Sequence, residues 1–227
     1  MTVISLKTST PPILERHSAT WQDYVAIRDH PAVDWQKLSF YQGWLWVNMG
    51  KEGPEHASVS DFMTAIFFAW TFLHPDVPLQ SYGRCLIERP ETHACAPDLV
   101  LYKGDNIPKY QSGEPRRIDL RYQRAPDLVG EIADTTLSID LDEQKQLYAS
   151  LGIPEYWVID VKGRRVFAFG LAEGGRYRAI SQSQVLTGLE MLTGLEIALL
   201  EQALERLATQ TNTAAASWLI QQLQGHA

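Results

Sequence analysis

The order of the elements predicts an α/β fold, a mixed central sheet flanked by helices, with an early β-hairpin and a C-terminal helical extension. Three observations carry this reading. Residues 128–133 and 155–161 are short, almost continuously apolar runs, the pattern of strands buried on both faces. Between them, residues 140–151 carry Lys145, Leu147, Tyr148 and Leu151 at helical spacing, and Gly152 and Pro154 close the run by the usual glycine-then-proline punctuation. Residues 37–41 and 44–49 are aromatic, β-rich and separated by Gln42-Gly43, which predicts a hairpin with glycine at its turn.

The remaining elements follow in order. Residues 1–12 are polar, end in Pro11-Pro12 and are expected to be loose, whereas 20–30 can form a short helix. After a break at 50–54, Val59, Phe62, Met63, Ile66, Phe67, Trp70 and Leu73 recur at helical spacing until Pro75 stops them. Short strands are expected at 79–82, 84–88 and 98–102. Lys162-Gly163 makes a tight turn, from which 164–169 returns as an antiparallel partner, and 177–180 adds a further strand. Residues 195–223 are rich in Leu, Ala, Glu and Gln and read as one or two amphipathic helices. The expected division is a flexible segment over 1–19, one domain over 20–195 and a helical tail over 196–227.

Composition limits the function classes. The chain has 227 residues, 45% of them hydrophobic and 10% aromatic, enough for a sizeable core. Its longest strongly apolar run, 65–73, is too short to span a bilayer, and its start lacks the charged-then-apolar plan of a secretory signal, so a cytoplasmic protein without a membrane partner is expected. Cys85 and Cys95 have no second cysteine pair to complete a zinc site and fit two reduced thiols. A net charge of −7 and a pI near 5.4 argue against a broadly basic nucleic-acid binder. Between the two strands that bear candidate carboxylates, however, Lys103, Lys109, Arg116, Arg117, Arg121 and Arg124 outnumber Asp105, Glu114 and Asp119. That connection reads either as a groove tracking a nucleic-acid backbone or as a solvated loop.

The chemistry concentrates on two acids. Glu131 lies inside an apolar strand, and an ionised carboxylate is expensive to bury unless it is paired or binds a cation. Asp98 heads another apolar strand in Ala96-Pro97-Asp98-Leu99-Val100, a pentapeptide repeated at 125–129. Alternation sets Val129, Glu131 and Ala133 on one face and Leu128, Gly130 and Ile132 on the other. With Asp98 on the adjacent strand, the two carboxylates could hold one Mg²⁺, or Mn²⁺ in its place, a backbone carbonyl near Ile132 completing the protein ligands. Such an ion polarises a phosphate oxygen and acidifies a bound water, and Lys145 is the candidate ammonium for the charge that develops. Each residue also has a plainer role. Pro-Asp often starts a strand or turn, and Glu131 could form a buried ion pair with Lys145 or an arginine. Glu55 after Pro54 suits a helix's first turn, His56 suits a helix surface, and Lys145 suits an exposed helix position. Tyr148, Tyr156 and Trp157 suit packing.

Taken in order, these residues resemble the PD-(D/E)xK nuclease superfamily and, within it, the Uma-two branch of restriction endonucleases. The matching segments are Pro97-Asp98-Leu99-Val100, residues 126–132, Lys145 with Tyr148, and Gly152-Ile153-Pro154-Glu155-Tyr156-Trp157, the most specific of them. Gln42-Gly43 and Pro54-Glu55-His56 extend the resemblance over about 20–195. It implies a restriction-endonuclease-like fold and a Mg²⁺-dependent endonuclease acting on DNA, with Asp98, Glu131 and the Ile132 carbonyl at the metal and Glu55 as an auxiliary ligand. The chain departs from the pattern at Ala133, where the superfamily places its lysine, and at Asp134-Thr135, where the branch has Ser-Pro. The implied remedy is a migrated lysine, Lys145 reaching into the vacancy above Ala133. Two alternatives stand beside hydrolysis: a non-catalytic nuclease-fold module that binds nucleic acid or protein, and a structural homodimer formed through the C-terminal helices.

Overall fold

The computed structural model describes residues 14–32, 37–48, 52–187 and 194–225. In chain order its elements are β1 (Leu14–Ser18), α1 (Trp21–Arg28), β2 (Lys37–Tyr41), β3 (Trp44–Asn48), α2 (Pro54–Leu73), β4 (Leu79–Gly83), β5 (Ile87–Arg89), β6 (His93–Cys95), β7 (Leu99–Lys103), β8 (Ile118–Asp119) and β9 (Leu128–Ala133). There follow α3 (Leu137–Ile139), a π-helical turn (Asp140–Gln144), α4 (Lys145–Ser150), β10 (Glu155–Asp160), β11 (Arg165–Ala172), β12 (Arg176–Ala179), β13 (Gln182–Thr187), β14 (Gly194–Glu196), α5 (Ile197–Leu207) and α6 (Asn212–Gly225). Where the sequence suggests one domain over 20–195, the chain forms two compact units, because segments 85–96 and 110–123 join the N-terminal residues while the rest closes a second body. Among the described residues no helix is long and apolar enough to cross a membrane.

The first unit is a six-stranded sheet in the order β1-β3-β2-β6-β5-β8. Its centre is the expected hairpin: Gln42 and Gly43 both take positive φ, 50° and 75°, as a tight hairpin turn requires. Met49, expected to end the second strand, lies outside the described residues, as do residues 1–13 of the segment expected to be flexible. Leu14–Ser18 of that same segment is instead a strand, paired with β3 from Leu14 opposite Asn48 to Ser18 opposite Trp44, which satisfies the outer backbone groups of the hairpin. Thr20 caps α1 with a capping box, accepting the Asp23 amide at 3.2 Å while Asp23 accepts the Thr20 amide at 2.8 Å. The helix lays Tyr24 on Leu38, Phe40, Leu45 and Val47. Glu88, 1% exposed, accepts hydrogen bonds from the Tyr24 hydroxyl and from Arg28 at 2.7 Å, and pairs with Arg117 at 2.8 Å.

That pairing bears on the basic connection. Arg117 serves Glu88, and Arg121 pairs with Asp119 at 2.6 Å. In the second unit Arg124 pairs with Asp127 at 2.8 Å, and the Lys103 ammonium donates to the Val185 carbonyl at 2.7 Å. These four cations pair with groups of the fold itself.

The second unit carries the sheet β12-β11-β10-β9-β7-β4. Only β9 and β10 run parallel, and the helical connection from 137 to 150 supplies the crossover that a parallel pair needs. All six residues of β9 are buried, because helices cover both faces. On one face Leu99, Leu101, Leu128, Ile132, Trp157 and Ile159 pack with Val59, Phe62, Met63 and Ile66 of α2. Leu200, Ala203 and Leu204 of α5 and Ala215, Ala216 and Leu219 of α6 belong to the same cluster, so the helices expected as a tail pack an apolar stripe into this core. Gly130 leaves room for Leu99: a Cβ on it would lie 3.0 Å from Leu99 Cδ1 and make that side chain shift. On the opposite face Tyr148 rests on Tyr156, with ring centroids 4.9 Å apart, and Tyr156 stacks on Phe169 at 6.2 Å.

The motif at the start of β10 is a structural staple. Glu155, fully buried, accepts the Gln184 and Val185 amides at 2.8 and 3.0 Å and the Trp157 indole N–H at 2.6 Å, which fastens β13 to the sheet. The Tyr156 hydroxyl donates to the Asp140 carbonyl at 2.9 Å and anchors the π-helical turn.

Candidate functional site

Asp98 and Glu131 come together at one end of the second sheet. Strands β7 and β9 are antiparallel with Leu99 opposite Gly130; Asp98 sits at the bend just before β7, and its carboxylate reaches the Ile132 amide next to Glu131. Both acids are buried, at 2% and 4% exposure. Asp98 Oδ2 accepts the Ile132 amide at 2.8 Å, and the Tyr148 hydroxyl donates to Glu131 Oε1. Pro97, one residue before Asp98, has no N–H and adds no backbone donor beside β9.

The first turn of α2 adds a residue that the sequence places on a helix surface. His56 is buried, and its Nε2 lies 3.4 Å from Asp98 Oδ2, close enough for the two to share an ion. The signal was present in the sequence: His56, Val59, Met63 and Ile66 follow the i, i+3, i+7 spacing of one helix stripe, and the other three are core. Glu55, one residue earlier, points about 100° further round. It is exposed and lines a different cleft, of about 380 Å³, with Ser58, Lys162, Arg164 and Leu204. The structure therefore brings His56 to Asp98 and leaves Glu55, the expected auxiliary ligand, outside the pair.

Lys145 is also placed elsewhere than the sequence suggests. Its ammonium lies over the Phe169 ring, 3.7 Å from the centroid. Phe169 belongs to the row Val129, Tyr156, Phe169, whereas Ala133 belongs to the row Ala133, Asp160, Arg165. Four residues of strand separate the rows, about 13 Å, so the amine does not fill the space above Ala133. Burial lowers its pKa, and the nearby Asp142 charge opposes that shift.

Negative charge is concentrated around these residues. Asp140, 5% exposed, accepts the Thr136 hydroxyl at 2.6 Å. The Tyr156 phenol is held well above its ordinary pKa, first by burial and then by the charges of Asp140, Glu131, Tyr177 and Asp98. Buried carboxylates favour a neighbouring cation or a proton. A carboxylate and an imidazole 3.4 Å apart are donors that suit a divalent ion able to take both oxygen and nitrogen.

Residues 21–204 match the model of the Uma2 family, described as "Putative restriction endonuclease". A crystal structure from Anabaena variabilis ATCC 29413, described as that of a putative nuclease belonging to DUF820, aligns with a TM-score of 0.51 over 88% of this chain and 98% of that chain. The two share 14% identity, so the likeness shows a common fold. Among curated proteins none matches. The family match takes in α2, β7, β9, the helical connection and β10, and with it most of the chain: this protein belongs to the Uma2 family.

Proposed function

We propose that the protein is a metal-dependent endonuclease that hydrolyses phosphodiester bonds of DNA, using Mg²⁺ with Mn²⁺ as a substitute. The observation that supports this best is that the Asp98 carboxylate accepts the Ile132 amide and so lies beside Glu131, both acids being buried. Asp98, Glu131 and the Ile132 carbonyl are the proposed ligands, with His56 beside them. A bound divalent ion would polarise a phosphate oxygen and lower the pKa of a water. The rest is done by the chain. The Ile132 amide fixes the rotamer of Asp98, and the Tyr148 hydroxyl fixes that of Glu131, so both ligands are oriented before any ion arrives. The covering helices exclude bulk water from Glu131 and strengthen every electrostatic contact there.

One observation favours a second reading. Lys145 sits on Phe169 instead of at the acids, which suits a module that binds nucleic acid at this site without cutting it. Plasmid cleavage in Mg²⁺ or Mn²⁺ separates the two. The endonuclease reading expects nicking or linearisation by the wild type and a loss of about a hundredfold or more in Asp98→Asn and Glu131→Gln. Wild-type protein that retards DNA without cutting it supports the binding module, and cleavage untouched by both substitutions removes the site from the account.

A further inference from the structure

We infer that Gln144, not Lys145, is the residue of the helical connection that faces the Asp98–Glu131 pair, where its side-chain carbonyl accepts a hydrogen bond from the water that attacks phosphorus. This rests on the reading of the site as a metal-dependent nuclease. Gln144 is 7% exposed, and its Oε1 has no hydrogen-bond partner among the described residues. A buried carbonyl oxygen in that state calls for a donor, and a bound water supplies one.

Two independent directions place it. Around the helix axis, Tyr148 marks the stripe that touches Glu131 on β9 and Tyr156 on β10. Lys145 lies about 60° to one side of that stripe and Gln144 about 40° to the other. The sheet runs β11-β10-β9-β7, and Lys145 reaches toward Phe169 on β11, so the Gln144 flank looks toward β9 and β7, where Asp98 stands. Along the axis, the chain leaves β9 at Ala133 and rejoins the sheet at Glu155, so the connection runs from the C-terminal end of β9 back to the start of β10. Gln144 is one turn ahead of Tyr148, about 6 Å nearer the end of β9 that carries Glu131 and faces Asp98.

A glutamine amide is neutral and too weak a base to take a proton, so its part is to position. As the water oxygen bonds to phosphorus and the bond to the leaving oxygen breaks, the proton released by the water passes to solvent, and the leaving alkoxide is protonated from solvent. Gln144 fixes the line of attack by holding one O–H of the water.

The test is calorimetric titration of the intact protein with Mn²⁺ alone, for the wild type, Gln144→Glu, Gln144→Lys and Lys145→Glu, with circular dichroism to confirm folding and plasmid cleavage run in parallel. A carboxylate at 144 is expected to tighten Mn²⁺ by about tenfold or more, and an ammonium there to weaken it by a similar factor. Lys145→Glu is expected to change the affinity by less than about threefold. Affinity that responds at 145 and not at 144 overturns the placement, and a wild type that binds Mn²⁺ yet never cleaves overturns the water-positioning role. A folded wild type that binds no Mn²⁺ removes the metal-site reading itself and this inference with it. A wild type that binds and cleaves, with both Gln144 variants unchanged, removes this inference alone.

Discussion

The Tyr148 hydroxyl donates to the Glu131 carboxylate and so ties the middle of α4 to the middle of β9 inside a fully buried strand. Hydrogen bonds to charged groups stabilise more than neutral ones, and a buried acceptor stripped of its donor is costly. Tyr148→Phe is expected to lower the unfolding free energy by about 1–3 kcal/mol in urea titrations. An unchanged midpoint would mean that Glu131 is neutral or held by other groups.

Lys145 and Phe169 form the second testable pair. A cation over an aromatic ring contributes about 0.5–2 kcal/mol, depending on how far it is desolvated. Lys145→Ala and Phe169→Leu should each lower stability, and the double variant should lose less than the sum, because both remove one interaction. Strict additivity in that cycle contradicts the contact.

Glu155 tests the staple and carries a pH signature. Burial is the largest influence on its pKa and raises it above the ordinary 4.5, while hydrogen bonds from Ser183, Gln184, Trp157 and Val185 oppose the shift. A raised folded-state pKa means that its stabilising contribution is complete below the ordinary value and declines as pH rises through the raised one. Glu155→Gln has no such loss, so its melting temperature should gain on the wild type as pH rises from about 4 to 7. Parallel curves for the two proteins contradict this. Glu155→Ala orphans three donors at once and should fold poorly or not at all.

His93, stacked on Tyr41 at 5.1 Å, has its pKa pushed down to about 4, first by burial and then by the Arg89 charge. Its stabilising contribution is present above its ordinary 6.5 and is lost as pH falls through about 4. NMR titration of the His93 ring should show a midpoint near that depressed value, and a midpoint at the ordinary one contradicts the burial.

The parts of the fold that were legible in the sequence are those with strong local periodicity. Strand β9 was bounded at 128 and 133 because six buried residues between turn signals leave little choice, and the apolar stripe of α2 made that helix clear. Strands β6 and β8 span three and two residues, too short for alternation to show, and their pairing depends on distant partners. Strand β1 reads Leu-Glu-Arg-His-Ser, polar enough to pass for a loose end, and it forms because β3 offers an edge. At the site, Asp98 and Glu131 were legible as acids in apolar strands. The place expected for Lys145 came from the family resemblance, and on α4 it lies on the flank that reaches Phe169; the π-helical turn at Asp140–Gln144 is announced by no residue type in that stretch. Glu155 shows the opposite case, since the most specific motif of the family resemblance serves the architecture of the sheet rather than its chemistry.

Anomalous diffraction from a crystal soaked in Mn²⁺ tests the central claim most directly. The account predicts one strong peak bonded to carboxylate oxygens of both Asp98 and Glu131, with the Ile132 carbonyl within coordination distance, and its disappearance in Glu131→Gln. A soaked crystal with no peak at these acids, or with Mn²⁺ bound only at other groups, would contradict it.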